Sequence, residues 1–191
     1  MDLRNLRLSG ERVLLRSIAL QDIPVLWELI YGTESPEWKQ WDGPYFPLPY
    51  KTLEEYTAMV GSKIAANENI NRLAIEVGGT LVGTVNYYWV HKESNWLEVG
   101  ISIYRSDYWS KGVGQEALQL WVSHLFKNLK IVRVGLTTWS GNIRMMKCAE
   151  KLGMVVEATI RKARIVRNQY YDSVKLGILR EEWESINREE S

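Results

Sequence analysis

The sequence predicts a mixed α/β sheet, with antiparallel strands first and helix-crossed strands after them. Three observations carry that expectation. Two apolar runs at 71–77 and 80–89 meet across Gly78-Gly79, a strong hairpin signal. From residue 97 onward the pattern becomes strand, helix, strand, helix, strand. A chain of 191 residues with 46% hydrophobic residues can bury one sizeable core, so one domain over 1–191 is the default.

The elements follow in order. Residues 12–16 read as a strand and 20–30 as a helix, with Asp22 and Pro24 near its start. A second helix is expected over 51–68. Thr52 and Glu55 form a capping-box pattern, and Leu53, Tyr56, Val60 and Ile64 line one face. After the hairpin comes a strand at 97–104. Gly114, Ala117, Leu118, Trp121, Val122 and Leu125 then recur at helical spacing, which predicts a helix over 114–128. A strand at 131–139 precedes a helix at 143–152, capped by Asn142 and stopped by Gly153. Strands at 155–166 and 170–180 close the sheet ahead of a charged tail that is at most helical. The sum is about seven strands and four or more helices. The 114–128 helix must cross over, right-handed, to a parallel neighbouring strand. Its leading turn then lies at the C-terminal edge of strand 97–104, where open α/β sheets collect ligands.

Composition excludes several classes. Lys+Arg 24 against Asp+Glu 23 leaves a net charge of +1, so no global field steers the chain to nucleic acid or a membrane. Cys148 stands alone, which rules out an intramolecular disulfide framework and suits a cytoplasmic location. The first residues form no apolar export segment, and no run approaches the roughly 18 apolar residues of a membrane span. His91 and His124 lack metal-ligand spacing, so no metal is expected; His124 falls on the polar side of its helix, and Cys148 reads as core. Arg161, Lys162, Arg164 and Arg167 read as a solvated hairpin or a surface for an acidic partner.

The segment 108–118 holds the main chemical signal. Gly112 and Gly114 allow positive φ and close approach of a ligand to the main chain. A glycine turn opening a helix gathers unpaired N–H groups and the positive end of the helix dipole. A phosphate-bearing ligand is therefore expected. No Gly-x-x-x-x-Gly-Lys-Ser/Thr loop is present, and Ala117 breaks a Gly-x-Gly-x-x-Gly pattern.

The same run resembles motif A of the GCN5-related N-acetyltransferases (GNAT), Gln/Arg-x-x-Gly-x-Gly/Ala, here Trp109-Ser110-Lys111-Gly112-Val113-Gly114. Its Trp-Ser-Lys-Gly form is closest to the ribosomal-protein alanine acetyltransferase (RimJ/RimL-like) branch. The stretch from Ser140 through Asn142, Glu150, Lys151, Gly153 and Met154 is similar to that branch's Asn-x-x-Ser-x-x-x-x-Glu-Lys-x-Gly-Phe helix. Glu157 and Arg161 through Tyr170, Tyr171 and Asp172 resemble the end of the fold. The resemblance covers about residues 10–182.

The resemblance implies the GNAT acyl-CoA N-acyltransferase fold, with a splayed parallel pair at its centre. It implies acetyl-coenzyme A as co-substrate, its pyrophosphate held by main-chain groups of Ser110, Lys111, Gly112, Val113, Gly114 and Gln115 beside Trp109. The pantetheine would run along the strand at Ser102, Ile103 and Tyr104, and Asn142 would bond it or serve as a cap alone. Glu98 is the candidate base, acting through water, or else a strand carboxylate that faces solvent or pairs with a neighbouring Lys or Arg. The family's usual acids are replaced by Ala149 and Met145, and an acidic position by Arg164, so Tyr104, Tyr170, Tyr171 or water must protonate the leaving thiolate. The aromatic loop at 37–50 would wall the acceptor or pack as a stiff loop. The acceptor is expected to be a primary amine on a protein N-terminus or small molecule, such as a polyamine or aminoglycoside. The rival is a non-catalytic acyl-coenzyme A-binding or sensory protein. Relatives also suggest a homodimer.

Overall fold

The computed structural model describes residues 1–66 and 71–189. Its strands are β1 (Arg7–Ser9), β2 (Val13–Ser17), β3 (Arg72–Val77), β4 (Thr80–His91), β5 (Trp96–Ile103), β6 (Arg133–Trp139), β7 (Val155–Val166) and β8 (Gln169–Leu179). Its helices are α1 (Ile23–Tyr31), α2 (Leu53–Ala65), α3 (Val113–Asn128), α4 (Ile143–Lys151) and α5 (Arg180–Glu189). The eight strands form one sheet in the order β1-β2-β3-β4-β5-β6-β8-β7.

β5 and β6 pair in parallel at Leu97↔Val134 and Glu98↔Gly135 alone, then diverge. Their other neighbours are antiparallel. This is the expected splayed pair. The β3–β4 turn uses Gly78 and Gly79 at φ 56° and 79°, a conformation that strains residues with a Cβ.

Two local features differ from the sequence expectation, and the charged tail takes the helical form the sequence allowed. β1 is an added edge strand, too short to show alternation. The first helix opens as a single 3-10 turn at Leu20–Asp22, where the Asp22 carboxylate accepts the Ala19 N–H at 2.8 Å and pairs with Arg16 at 2.6 Å. The charged tail is a helix anchored by Trp183, which is buried against Phe126 with ring centres 6.1 Å apart. The expected end of the second helix at Glu68 lies outside the described residues. Thr52 does cap α2, accepting from the Glu55 N–H at 3.2 Å.

Strand alternation divides the sheet into two faces. Val85, Tyr87, Leu97, Val99, Val134 and Leu136 face α3, whose Trp121 is fully buried and donates its indole N–H to Asn86 O at 3.0 Å. The opposite face is covered by α1 and α2 at the β2–β3 end. Toward β4, β5 and β6 that face turns polar, presenting Thr84, Asn86, Tyr88, Glu98, Ser102 and Thr137. No helix among the described residues is long and apolar enough to cross a membrane.

Candidate active site

A cavity of about 650 Å³ opens where β5 and β6 part. The glycine turn and α4 line one end, β3 and β4 the other, and the loop after α1 walls both.

At the first end, Gly112 adopts φ 82° and Ser110 φ 58°. Gly112 is the N-cap of α3 without a side-chain cap, and the first intrahelical bond runs from the Glu116 N–H to Gly112 O at 3.0 Å. The N–H groups of Val113, Gly114 and Gln115 therefore have no helical acceptor. From behind, Arg12 donates to Lys111 O at 2.8 Å, while Glu116 accepts from the Arg12 and Val13 backbones at 2.8 and 3.0 Å. This clamp holds the turn against β2. A Cβ at Gly114 would stand in the cavity, 3.8 Å from Ile101 Cδ1.

α4 brings Arg144, Lys147 and Lys151 to the same wall. Sequence reasoning missed them, although their i, i+3, i+7 spacing places them on one helix face. Arg144 lies between two indoles, 4.3 Å from the ring centres of both Trp41 and Trp109. Trp109 is fixed in turn by its indole N–H, which donates to Ile103 O at 2.8 Å. Asn142 caps α4 through Oδ1 to the Met145 N–H at 3.2 Å, and its Nδ2 donates to Trp41 O at 3.1 Å. The cap is thus also a tie to the aromatic loop.

The splayed edge of β5 presents alternate main-chain groups. The Tyr104 N–H donates to Val82 O at 2.9 Å, so Ser102 and Tyr104 turn their amides toward β4. Ile101 and Ile103 turn theirs toward the cleft. Ser102 contributes its hydroxyl instead, which donates to Asp42 Oδ2.

Glu98 is buried at the floor where the strands part, 4% exposed. Oε2 accepts from the Tyr88 hydroxyl at 2.6 Å and the Thr137 hydroxyl at 2.8 Å, and Oε1 from Lys175 Nζ at 3.1 Å. Burial raises its pKa, but the three hydrogen bonds and the Lys175 charge outweigh that effect and hold it below 4.5. Tyr88 and Thr137 line the cavity; Glu98 sits behind them. Tyr88 is the group that sequence reasoning missed. The β4–β5 register sets it directly opposite Glu98, which the short connection between those strands could have revealed.

The other candidate hydroxyls lie elsewhere. Tyr104 is buried beside Trp38, its hydroxyl 2.9 Å from Thr84 Oγ1, and burial raises its pKa. Tyr171 packs edge-on to Trp139 and donates to Gln169 at 3.1 Å, while Tyr170 is exposed. None of the three lines the cavity. Cys148 does line it, but burial pushes its thiol pKa up to about 11, so it stays protonated at neutral pH. His124 is half-buried and stacks flat on Trp121 rather than facing solvent. The aromatic loop divides: Trp38 is core, while Trp41, Tyr45 and Phe46 line the cavity. No cluster of His, Cys, Asp and Glu that could hold a metal occurs among the described residues.

Comparisons with known proteins agree with this fold. The chain is 24% identical over 176 residues to SPbeta prophage-derived uncharacterized N-acetyltransferase YokL of Bacillus subtilis (strain 168), covering 92% of this chain and 94% of that protein. It superposes with a TM-score of 0.73 on RimL, a ribosomal L7/L12 alpha-N-protein acetyltransferase in complex with coenzyme A, at 15% identity over 91% of this chain and 98% of that one. Spermidine N-acetyltransferase from Vibrio cholerae, in complex with CoA and spermine, gives 0.73 at 18% identity over 91% and 99% of the two chains. Residues 12–155 match the family model of the acetyltransferase (GNAT) domain. The chain therefore belongs to the GNAT acetyltransferase family.

Proposed function

We propose that this chain transfers the acetyl group of acetyl-coenzyme A to a primary amine, on a protein N-terminus or a small molecule, by direct attack on the thioester. One observation carries the reading: a single cleft joins an uncapped helix start to a buried carboxylate screened by two hydroxyls.

The residues fit the co-substrate. The amides of Val113, Gly114 and Gln115, with Ser110, Lys111 and Gly112 beside them, suit a pyrophosphate at the positive end of α3. Arg144, Lys147 and Lys151 add charge there, and Trp109 walls the turn. The cleft-facing amides of Ile101 and Ile103 suit an amide-bearing arm laid down like an added strand, held between them and Asn142. Bound acetyl-coenzyme A supplies an activated carbonyl.

The chain's own task is proton management. An amine is mostly protonated at neutral pH, and general-base assistance is typically worth about 10²–10⁴-fold. Tyr88 can accept the ammonium proton on Oη while its own proton passes to Glu98 Oε2. Ammonium and carboxylate become amine and carboxylic acid, and the charges balance. The Glu98 proton can return by the same path to the departing thiolate, in place of the Tyr or Ser that the family carries where this chain has Ala149 and Met145. A cleft-facing β5 N–H suits the developing oxyanion.

Those two replacements also favour a second reading, an acyl-coenzyme A-binding protein without turnover. Coenzyme A release from acetyl-coenzyme A, measured over peptides, polyamines and aminoglycosides, separates the two. Acetyl transfer predicts release that depends on an added amine. Tight acetyl-coenzyme A binding with no release on any amine supports the binding protein.

A further inference from the structure

The acceptor end of the cavity carries a cation without a partner. Arg72 opens β3 and lines the cavity; among the described residues it makes no hydrogen bond or ion pair. Its charge acts on Tyr31, Tyr56 and Tyr104, which places it at the α1–α2 end, away from α4. Directly opposite in the β3–β4 register stands Asn86, whose Oδ1 is buried and unpaired. Gly100 makes room for it, since a Cβ there would come within 2.3 Å of Oδ1. A buried carbonyl without a donor is costly, so this atom is built to receive an N–H.

The remaining charges at this end are engaged. Lys39 donates to Asp42 O at 2.9 Å and Gly43 O at 2.7 Å. Asp42 is the acidic side chain among the described lining residues, and it accepts from Ser102. Arg164 lies over Tyr45 at 4.5 Å, behind the loop wall. A polyamine would therefore meet cations and find its one carboxylate already bonded.

Resting on the acetyl-transfer reading, we infer that the acceptor is an amine whose own molecule carries a carboxylate: Arg72 takes the carboxylate, and Asn86 Oδ1 takes an N–H of the amine. Residues opposed across antiparallel strands have Cβ atoms about 5 Å apart, a spacing that suits an amine and an acid within one or two residues of each other. A guanidinium binds carboxylate through two parallel hydrogen bonds, whereas an ammonium offers only a point charge. Its positive charge also favours the neutral, nucleophilic form of a nearby amine.

The test compares matched acceptors at equal concentrations of unprotonated amine. They are alanine against alaninamide, an amidated pentapeptide with three aspartates after its N-terminal residue against one with three lysines, and spermidine. Acid-bearing acceptors should lead in kcat/KM by about tenfold or more, and Arg72→Met should bring that ratio close to one while acetyl-coenzyme A affinity is kept. Arg72→Lys should keep part of the preference. The alanine and peptide pairs show whether the acid belongs to a small molecule or a polypeptide. Preference for spermidine or the lysine peptide, or an unchanged ratio in Arg72→Met, overturns the inference and leaves acetyl transfer standing. If no amine is acetylated, the acetyl-transfer reading fails instead, and calorimetry on the coenzyme A-loaded protein decides. Tighter binding of the aspartate peptide, lost in Arg72→Met, supports the site; equal or absent binding overturns it.

Discussion

Glu98 gains its character from neighbours that are distant in the chain. Tyr88 reaches it from β4, Thr137 from β6 and Lys175 from β8. Together they keep the carboxyl below 4.5, so it is ionised wherever the protein is used near neutrality. The sign follows from linkage. A depressed folded pKa adds stability above the unfolded value, and that stability is lost as pH falls through the folded value. The acid limb of kcat/KM should then track the acceptor's ammonium and move with the amine chosen, because Glu98 is already deprotonated. Glu98→Gln should lower kcat by about 10²-fold or more and Tyr88→Phe by about 10-fold or more, with acetyl-coenzyme A affinity retained. Steady-state rates against pH check this. An undiminished rate in Tyr88→Phe would remove the hydroxyl relay, and one in Glu98→Gln would remove the base.

At the scale of the element, α3 works through what it lacks. No side chain caps its start, because Gly112 takes φ 82° and the Arg12 and Glu116 pairs hold the turn from behind. Three amides are left without a helical acceptor, and two of their residues, Gly114 and Gln115, line the cleft. Valine at position 112 would meet Arg12 Nη2 at 2.8 Å and would strain a left-handed backbone by about 1–2 kcal/mol. Gly112→Val should thus weaken acetyl-coenzyme A binding at least about tenfold at a modest cost in Tm, read by calorimetry and thermal melting. Normal affinity would sink the pyrophosphate assignment. The glycines and the helical spacing after them were legible in the sequence, since both are properties of neighbouring residues. The Arg12 clamp was not: Arg12 and Glu116 are 104 positions apart and meet only because α3 packs on β2.

For the whole molecule, the sheet's two faces divide the work. One buries α3, and Trp121 is its keystone, fully buried with its indole N–H on Asn86 O. The other face carries Asn86's side chain into the cavity. Core and cavity wall therefore share one residue. Trp121→Ala should cost about 3–5 kcal/mol, visible in denaturant unfolding, and should raise KM for the amine more than for acetyl-coenzyme A. Equal effects on both would show that the core supports the cleft only in general.

Periodicity alone determined the mixed sheet, its hairpins and the helix that crosses between β5 and β6, because alternation and 3.6-residue spacing are local. The glycine turn and the Asn142 cap belonged to the same local record, whereas Glu98 was singled out through the family resemblance. The tertiary structure decided which of the proposed residues stand together. It left Tyr104 and Tyr171 outside the cavity, brought Tyr88 to Glu98, drew Arg144 between Trp41 and Trp109, and left Arg72 beside Asn86 with no hydrogen bond or ion pair among the described residues. The reason is geometric. Side-chain encounters across a sheet depend on strand order and register, and a one-residue shift turns every side chain to the other face.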